Sequence, residues 1–355
     1  MRTPTRRDFL VSSAAFLASG SLLAHARSRT PHALDATFFD WQEVAPGVLV
    51  ALNRTGGDMN LVGGNSLLWL GTGGALLVDT KQAVLGSSLL REARTKSAQI
   101  AACVNTHHHF DHAGGNHAVT AASIPLTAHA RACERLADPG QAMLAQLDSK
   151  IKAIAESTLP GAAAVAADAS AFRETLAGVK GHSWKPTQCV TGDSAISVGD
   201  RTAELRWFGG GHTDNDLAVH CTSVNVLATG DLVFHGMHAY YDASAAANTA
   251  RWQASLRELV KLCDAKTVVV PGHGPVSDAS CIRAQIEYFD RMREHVAAAV
   301  AHGRTRDEVV KLDPPEAYKS FGLRQALGYL LGGLFDELAP VKPGPQPTAP
   351  KPAGA

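Results

Sequence analysis

Thr106-His107-His108-His109-Phe110-Asp111-His112 places four histidines and a carboxylate within six residues, directly after the apolar run Ile100–Val104. The spacing His107-x-His109-x-Asp111-His112 is too tight for one face of a helix. On a loop leaving a strand, His107 and His109 can converge on one metal ion while Asp111 and His112 serve a second. Imidazole and carboxylate together suit zinc and similar first-row divalent ions. A lone loop histidine is usually structural, so the reading depends on ligands arriving from distant segments.

Three such segments follow. Gly209-Gly210-Gly211-His212, Thr229-Gly230-Asp231 and Pro271-Gly272-His273-Gly274 each sit at a glycine-flanked strand exit. Glycine permits the backbone that such exits require. The joint pattern gives seven residues with the identities and spacing to bind two metal ions. His108 lies inside the motif but should point away from both. Metal-bound histidines usually donate their second N–H to a carboxylate or carbonyl, and Asp79, Asp214 and Asp216 are the candidates. His235, His238, Tyr240 and Tyr241, shortly after Asp231, are candidates to line a pocket mouth, whereas Trp207 reads as core.

Short apolar runs bounded by Gly, Asn or Asp predict strands at 47–53, 66–70, 75–78, 100–104 and 125–128, with helices at 82–95 and around 116–122. Residues 130–182 are rich in Ala and charge. Met143, Leu144, Leu147, Ile151 and Ile154 recur there at helical spacing and read as a core-facing stripe. Strands resume at 195–198, 204–208, 217–221 and 225–228. A helix bearing Leu256, Leu259, Val260 and Cys263 then leads into strand 267–270, and residues 279–300 and 321–338 read as C-terminal helices. Two halves of strands, helix and strand predict an α/β sandwich of two sheets with helices outside.

The motif set resembles the metallo-β-lactamase fold superfamily over roughly residues 40–280. That resemblance implies an αββα sandwich with the site at one edge between the halves, here followed by a helical extension over 281–338. Carried over by position, His107, His109 and His212 would hold the first metal. Asp111, His112 and His273 would hold the second, and Asp231 would bridge both. The ions would be zinc foremost, with iron or manganese as alternatives. The implied chemistry is hydrolysis, in which a metal-bridging hydroxide attacks the substrate and Asp111 and Asp231 serve as catalytic carboxylates. An aspartate at 231 is shared with glyoxalase II-like thioesterases and lactonases, whereas many true members of the β-lactamase group have Cys there or lack a bridging side chain. A cyclic or activated acyl bond (β-lactam, lactone or thioester class) is therefore the expected substrate. A phosphodiesterase and a mononuclear-iron sulfur dioxygenase-like oxidoreductase are the alternatives.

The ends of the chain read separately from this domain. Thr5-Arg6-Arg7-Asp8-Phe9-Leu10, the mildly apolar run 11–23 and Ala24-His25-Ala26 have the layout of a twin-arginine signal peptide over residues 1–26, too short to span a bilayer. The expected partner is the Tat export machinery, and the expected location is the periplasm, without stable membrane insertion. The Pro- and Ala-rich segment 340–355 should be a disordered tail. The chain has 33 basic and 33 acidic residues, and losing Arg2, Arg6, Arg7 and Asp8 leaves 30 and 32, a formal charge of −2. With no basic patch, nucleic acid is excluded as an expected partner and a small molecule is favoured. The six cysteines form no C-x-x-C pair and read as buried free thiols.

Overall fold

The computed structural model describes residues 39–53, 62–137, 140–157, 162–175 and 184–339. The signal-peptide segment 1–26 and the tail 340–355 lie outside the described residues. Twelve strands in these segments form two sheets. The first contains β1 (Phe39–Ala45), β2 (Val48–Asn53), β3 (Ser66–Gly71), β4 (Gly74–Val78), β5 (Ile100–Val104), β6 (Leu126–His129) and β7 (Gln188–Val190), in that order. Its strands are antiparallel through β4 and parallel from β4 to β7. The second runs β12-β11-β10-β9-β8, from β8 (Ser194–Val198), β9 (Arg201–Arg206), β10 (Ala218–Cys221), β11 (Val226–Phe234) and β12 (Val268–His273). Only its β11–β12 pair is parallel.

Alternation along the strands builds the sandwich. Val48, Val50, Leu67, Trp69, Leu76, Val78 and Val104 of the first sheet share one core with Leu205, Val219, Val226 and Val270 of the second. The intervening Leu68, Leu77 and Cys103 face the other side of the first sheet and are equally buried. Helix α1 (Gly86–Lys96), which follows β4, buries Leu89, Leu90 and Ala93. The outer face of the second sheet, through Leu227, Val233 and Val269, packs with α7 (Thr249–Lys261), α8 (Ala279–Ala301), the short α9 (Arg306–Val309) and α10 (Leu327–Leu338). The C-terminal helices thus share a core with β11 and β12, and the architecture is an αββα sandwich with a helical extension.

Between β5 and β7 lie α2 (Phe110–Ala113), α3 (Asn116–Ala121), α4 (Ala130–Arg135), α5 (Gly140–Ala155) and α6 (Ala162–Thr175). The sequence does not anticipate β1 or β7. Both are edge strands with largely exposed side chains, so neither carries an apolar run. Nor are all the cysteines free: Cys133 and Cys189 form a disulfide between α4 and β7, with Cα atoms 6.2 Å apart. Cys103, Cys221 and Cys281 are buried free thiols and Cys263 is half-buried. No described helix is long and apolar enough to cross a membrane.

Candidate metal centre

Each ligand-bearing segment leaves the end of a strand. His107 and His109 follow β5 in a loop, but Asp111 and His112 sit on the single helical turn α2, which the spacing alone did not suggest. His212 lies on the loop between β9 and β10, while Asp231 and His273 lie within β11 and β12 themselves. The strand carrying Asp231 continues to Phe234, well past the run 225–228 that its apolar residues mark. Backbones close in around the site. A Cβ on Gly272 would stand 2.0 Å from Asp231 Oδ1, and one on Gly64 would stand 2.1 Å from His112 Cε1. Asn65 ties the His273 turn to the first sheet, donating from Nδ2 to Pro271 O (2.9 Å) and Gly274 O (2.8 Å).

The structure gathers all seven residues into two adjoining groups. In one, donor atoms of His107, His109, His212 and Asp231 all lie within 4.8 Å of one another; in the other, those of Asp111, His112 and His273 do. Asp231 faces both. Its Oδ2 is 3.5 Å from His212 Nε2 and 3.8 Å from His107 Nε2, and its Oδ1 is 3.0 Å from His112 Nε2. His273 Nε2 lies 3.1 Å from Asp111 Oδ2.

Outer hydrogen bonds fix which nitrogen points inward. Asp79 accepts from His112 Nδ1 (2.8 Å), Thr106 N (2.8 Å) and Thr106 Oγ1 (2.7 Å). Thr106 Oγ1 is 3.1 Å from His107 Nδ1. Asp242 accepts from His109 Nε2 (2.8 Å), and Tyr240 O accepts from His212 Nδ1 (2.8 Å). With those nitrogens committed outward, the 2.9 Å contact between His109 Nδ1 and His212 Nε2 brings two lone pairs together. Such a contact is repulsive unless a cation or proton lies between them. His107 Nε2 is likewise buried without a hydrogen-bond partner. The donor set therefore fits divalent metal ions.

The electrostatics divide the cluster. Burial, reinforced by His112, lowers the His107 pKa well below the usual imidazole range, and burial with His109 lowers His212 to about 3. Burial opposes charge on His273 and His112 too, but Asp231 and Asp111 outweigh it. They raise His273 to about 9 and His112 well above its ordinary value. Burial would raise Asp111 and Asp231, yet the same two histidines hold both carboxyls well below their ordinary value.

Other candidates fall elsewhere. Of the three proposed outer carboxylates, only Asp79 holds a ligand histidine. Asp214 pairs with Arg135 (2.9 Å), and Asp216 accepts from Thr213 N (2.9 Å) and Oγ1 (2.6 Å). His108 faces Asn215. Tyr240 lines the cavity over the cluster, which has a volume of about 540 Å³. His238 does not line it: it is fully buried, with Nδ1 on Tyr288 Oη. His235 turns to Pro275 O instead. Trp207 is half-buried and stacks on His129, and Tyr241 reaches Glu337. Sequence reasoning missed Asp242, a single aspartate in a loop. Its only signal is a position just after the aromatic pair Tyr240-Tyr241.

A model of the metallo-beta-lactamase superfamily matches residues 59–273, more than half of the chain. The chain belongs to that superfamily. The match spans all seven clustered residues, and the C-terminal helices lie beyond it. A metallo-beta-lactamase from Pontibacter korlensis superposes with a TM-score of 0.51 at 22% identity, covering 71% of this chain and 99% of that one. The DIM-1 metallo-beta-lactamase superposes with a TM-score of 0.50 at 18% identity, covering 71% and 97%. At such identities the likeness establishes the superfamily's fold. No curated protein matches the chain.

Proposed function

We propose that the chain is an exported, binuclear metal-dependent hydrolase that opens a cyclic or activated acyl bond of the β-lactam, lactone or thioester class. The observation that carries this reading is Asp231, which stands between the two donor groups: its Oδ1 is 3.0 Å from His112 Nε2, and its Oδ2 lies 3.4 Å from His273 Nε2 and 3.5 Å from His212 Nε2. His107, His109 and His212 would hold one ion, and Asp111, His112 and His273 the other, with zinc suiting the donors best. Ions held there supply Lewis acidity and a water whose pKa falls toward neutrality.

The protein groups do the rest. Asp79, Asp242 and the Tyr240 carbonyl lock the imidazoles so that each presents its lone pair inward. Asp111 lines the cavity and keeps a 27% exposed side chain, whereas Asp231 is buried at 4%. Asp111 is thus the carboxylate placed to orient an incoming water and pass its proton to the leaving group. Phe234 and Tyr240 give the cavity an apolar wall. The twin-arginine layout of residues 1–26 supports export to the periplasm.

The test is a metal-quantified preparation assayed on β-lactam, lactone, thioester and phosphodiester substrates. Turnover of the acyl substrates with about two ions per chain is expected. Cleavage confined to bis-p-nitrophenyl phosphate, or iron-dependent oxygen uptake, would overturn the reading.

A further inference from the structure

A second cavity, of about 580 Å³, adjoins the first and shares Tyr240, Asp242, Ser244 and Tyr329 with it. Its remaining walls come from the extension beyond residue 273 and from Tyr241 and Ala243. Aromatic rings lead into it from the metal centre: Tyr240 is 5.7 Å from the His109 ring, and Tyr329 is 5.1 Å from Tyr240. Tyr329 is 59% exposed, the only large apolar side chain so exposed among the described residues. Leu323, which lines the first cavity, holds a left-handed backbone (φ +57°), costly for a branched side chain and tolerated where a site demands it.

Helix α10 carries three glycines, each a poor helix former. Two have a packing reason. A Cβ on Gly332 would stand 2.7 Å from Arg306 Nη2, and one on Gly333 would stand 2.5 Å from the Tyr241 ring. Gly328 has none: its Cβ would meet only Val310 O, at an ordinary 3.5 Å. Yet Gly328 lines the second cavity. A glycine that no protein atom requires, on the floor of a cavity walled by tyrosines, fits a ligand passing close to the backbone.

We propose that this second cavity receives the remote part of the substrate, so that the enzyme prefers acyl compounds with a long apolar tail over small ones. The proposal rests on the hydrolase reading. The tail would lie over Gly328 between Tyr240 and Tyr329. The Arg306–Asp336 pair, 2.9 Å apart and half exposed, marks the solvent end. Nothing changes in the reaction itself: the bond from the acyl carbon to the leaving nitrogen, oxygen or sulfur breaks, and water gives its OH to the acyl carbon and its proton to the leaving group.

The test compares 4-nitrophenyl decanoate with 4-nitrophenyl acetate on metal-loaded wild type, Gly328→Phe and Tyr329→Ala. Wild type should favour decanoate. Gly328→Phe, whose ring would fill the cavity, should lower the decanoate-to-acetate ratio of kcat/KM at least tenfold, chiefly through the KM for decanoate. Tyr329→Ala should lower it in the same sense, and metal content should hold in both. Gly328→Ala should melt no lower than wild type; a lower melting point would mean that packing explains the glycine. An unaltered ratio in Gly328→Phe overturns the proposal. If wild type cleaves neither ester, the β-lactam, lactone and thioester panel decides the hydrolase reading, and calorimetry with decanoic acid decides the subsite. Binding lost in Gly328→Phe supports it, and equal or absent binding overturns it.

Discussion

Asp242 holds His109 as Asp79 holds His112, but only one of the two could be anticipated. Asp79 ends an apolar strand beside the ligand loop, whereas Asp242 reaches His109 across 133 positions with no motif to flag it. The seven clustered residues were legible because their identities are rare together and each sits at a strand exit. Replacing Asp231 by Ala should halve the metal content and remove most activity; full occupancy and turnover would sink the two-ion arrangement. Asp79→Asn should weaken metal affinity by roughly 10–100-fold, readable by competition with a chromophoric chelator. Lys81, buried behind Gly64, makes a separate pH prediction. Its Nζ donates to Ala51 O and Gly64 O, both at 2.6 Å. Burial outweighs nearby carboxylates and lowers its pKa from 10.5 to about 7. The unfolded chain therefore binds more protons than the native one between pH 7 and 10.5, so this group's contribution to stability rises with pH across that window. Lys81→Met should be less stable, because it orphans two buried carbonyls. It should also lose that slope, and denaturation midpoints at pH 7 and 9 that fall in parallel for both proteins would refute the assignment.

At the scale of elements, most strands and long helices were readable because alternation and helical spacing survive wherever one face is buried. Ile100–Val104 falls where its apolar run ends, and Ala279–Ala301 extends one residue past its expected end. β1 and β7 escaped notice because edge strands need no apolar pattern, and β11 outran its pattern because Thr229-Gly230-Asp231 interrupts the apolar run before Leu232, Val233 and Phe234 resume it. The Cys133–Cys189 bond was hidden for a different reason: 56 positions separate partners that only the fold brings together. It closes a loop containing α5 and α6, and α5 supplies Gln146 and Lys150 to the cavity over the metal centre. For a loop of that length, chain entropy puts the bond's worth at about 4 kcal/mol. Reduction should therefore lower the melting temperature by several degrees, and a Cys133→Ala, Cys189→Ala double variant that melts like wild type would show that the loop is held by packing alone.

The whole molecule is two sheets joined at the metal centre. His107, His109, Asp111 and His112 follow β5 of the first sheet, while Asp231 and His273 belong to the second sheet and His212 precedes its strand β10. Bound ions would cross-link the layers, so chelation should lower the melting temperature, by about 2.7 kcal/mol of stability when free metal stood at 100 times its dissociation constant. Uptake should also release protons, because His112 and His273 hold theirs above neutrality in the protein's own field. Loading should weaken as pH falls, which calorimetry in buffers of different ionisation enthalpy would show. The sandwich was legible from the sequence, but the role of the extension was not, since nothing local says which wall a terminal helix will complete. Tyr241, next to Asp242, donates to Glu337 (3.2 Å) and fits against Gly333, and Arg293 holds Glu337 at 2.7 Å. A gene trimmed to residues 59–273 would encode all seven clustered residues and Asp242 as well, yet lack the Glu337 and Gly333 against which the neighbouring Tyr241 is set, so the recognisable part of this protein is not a transplantable module.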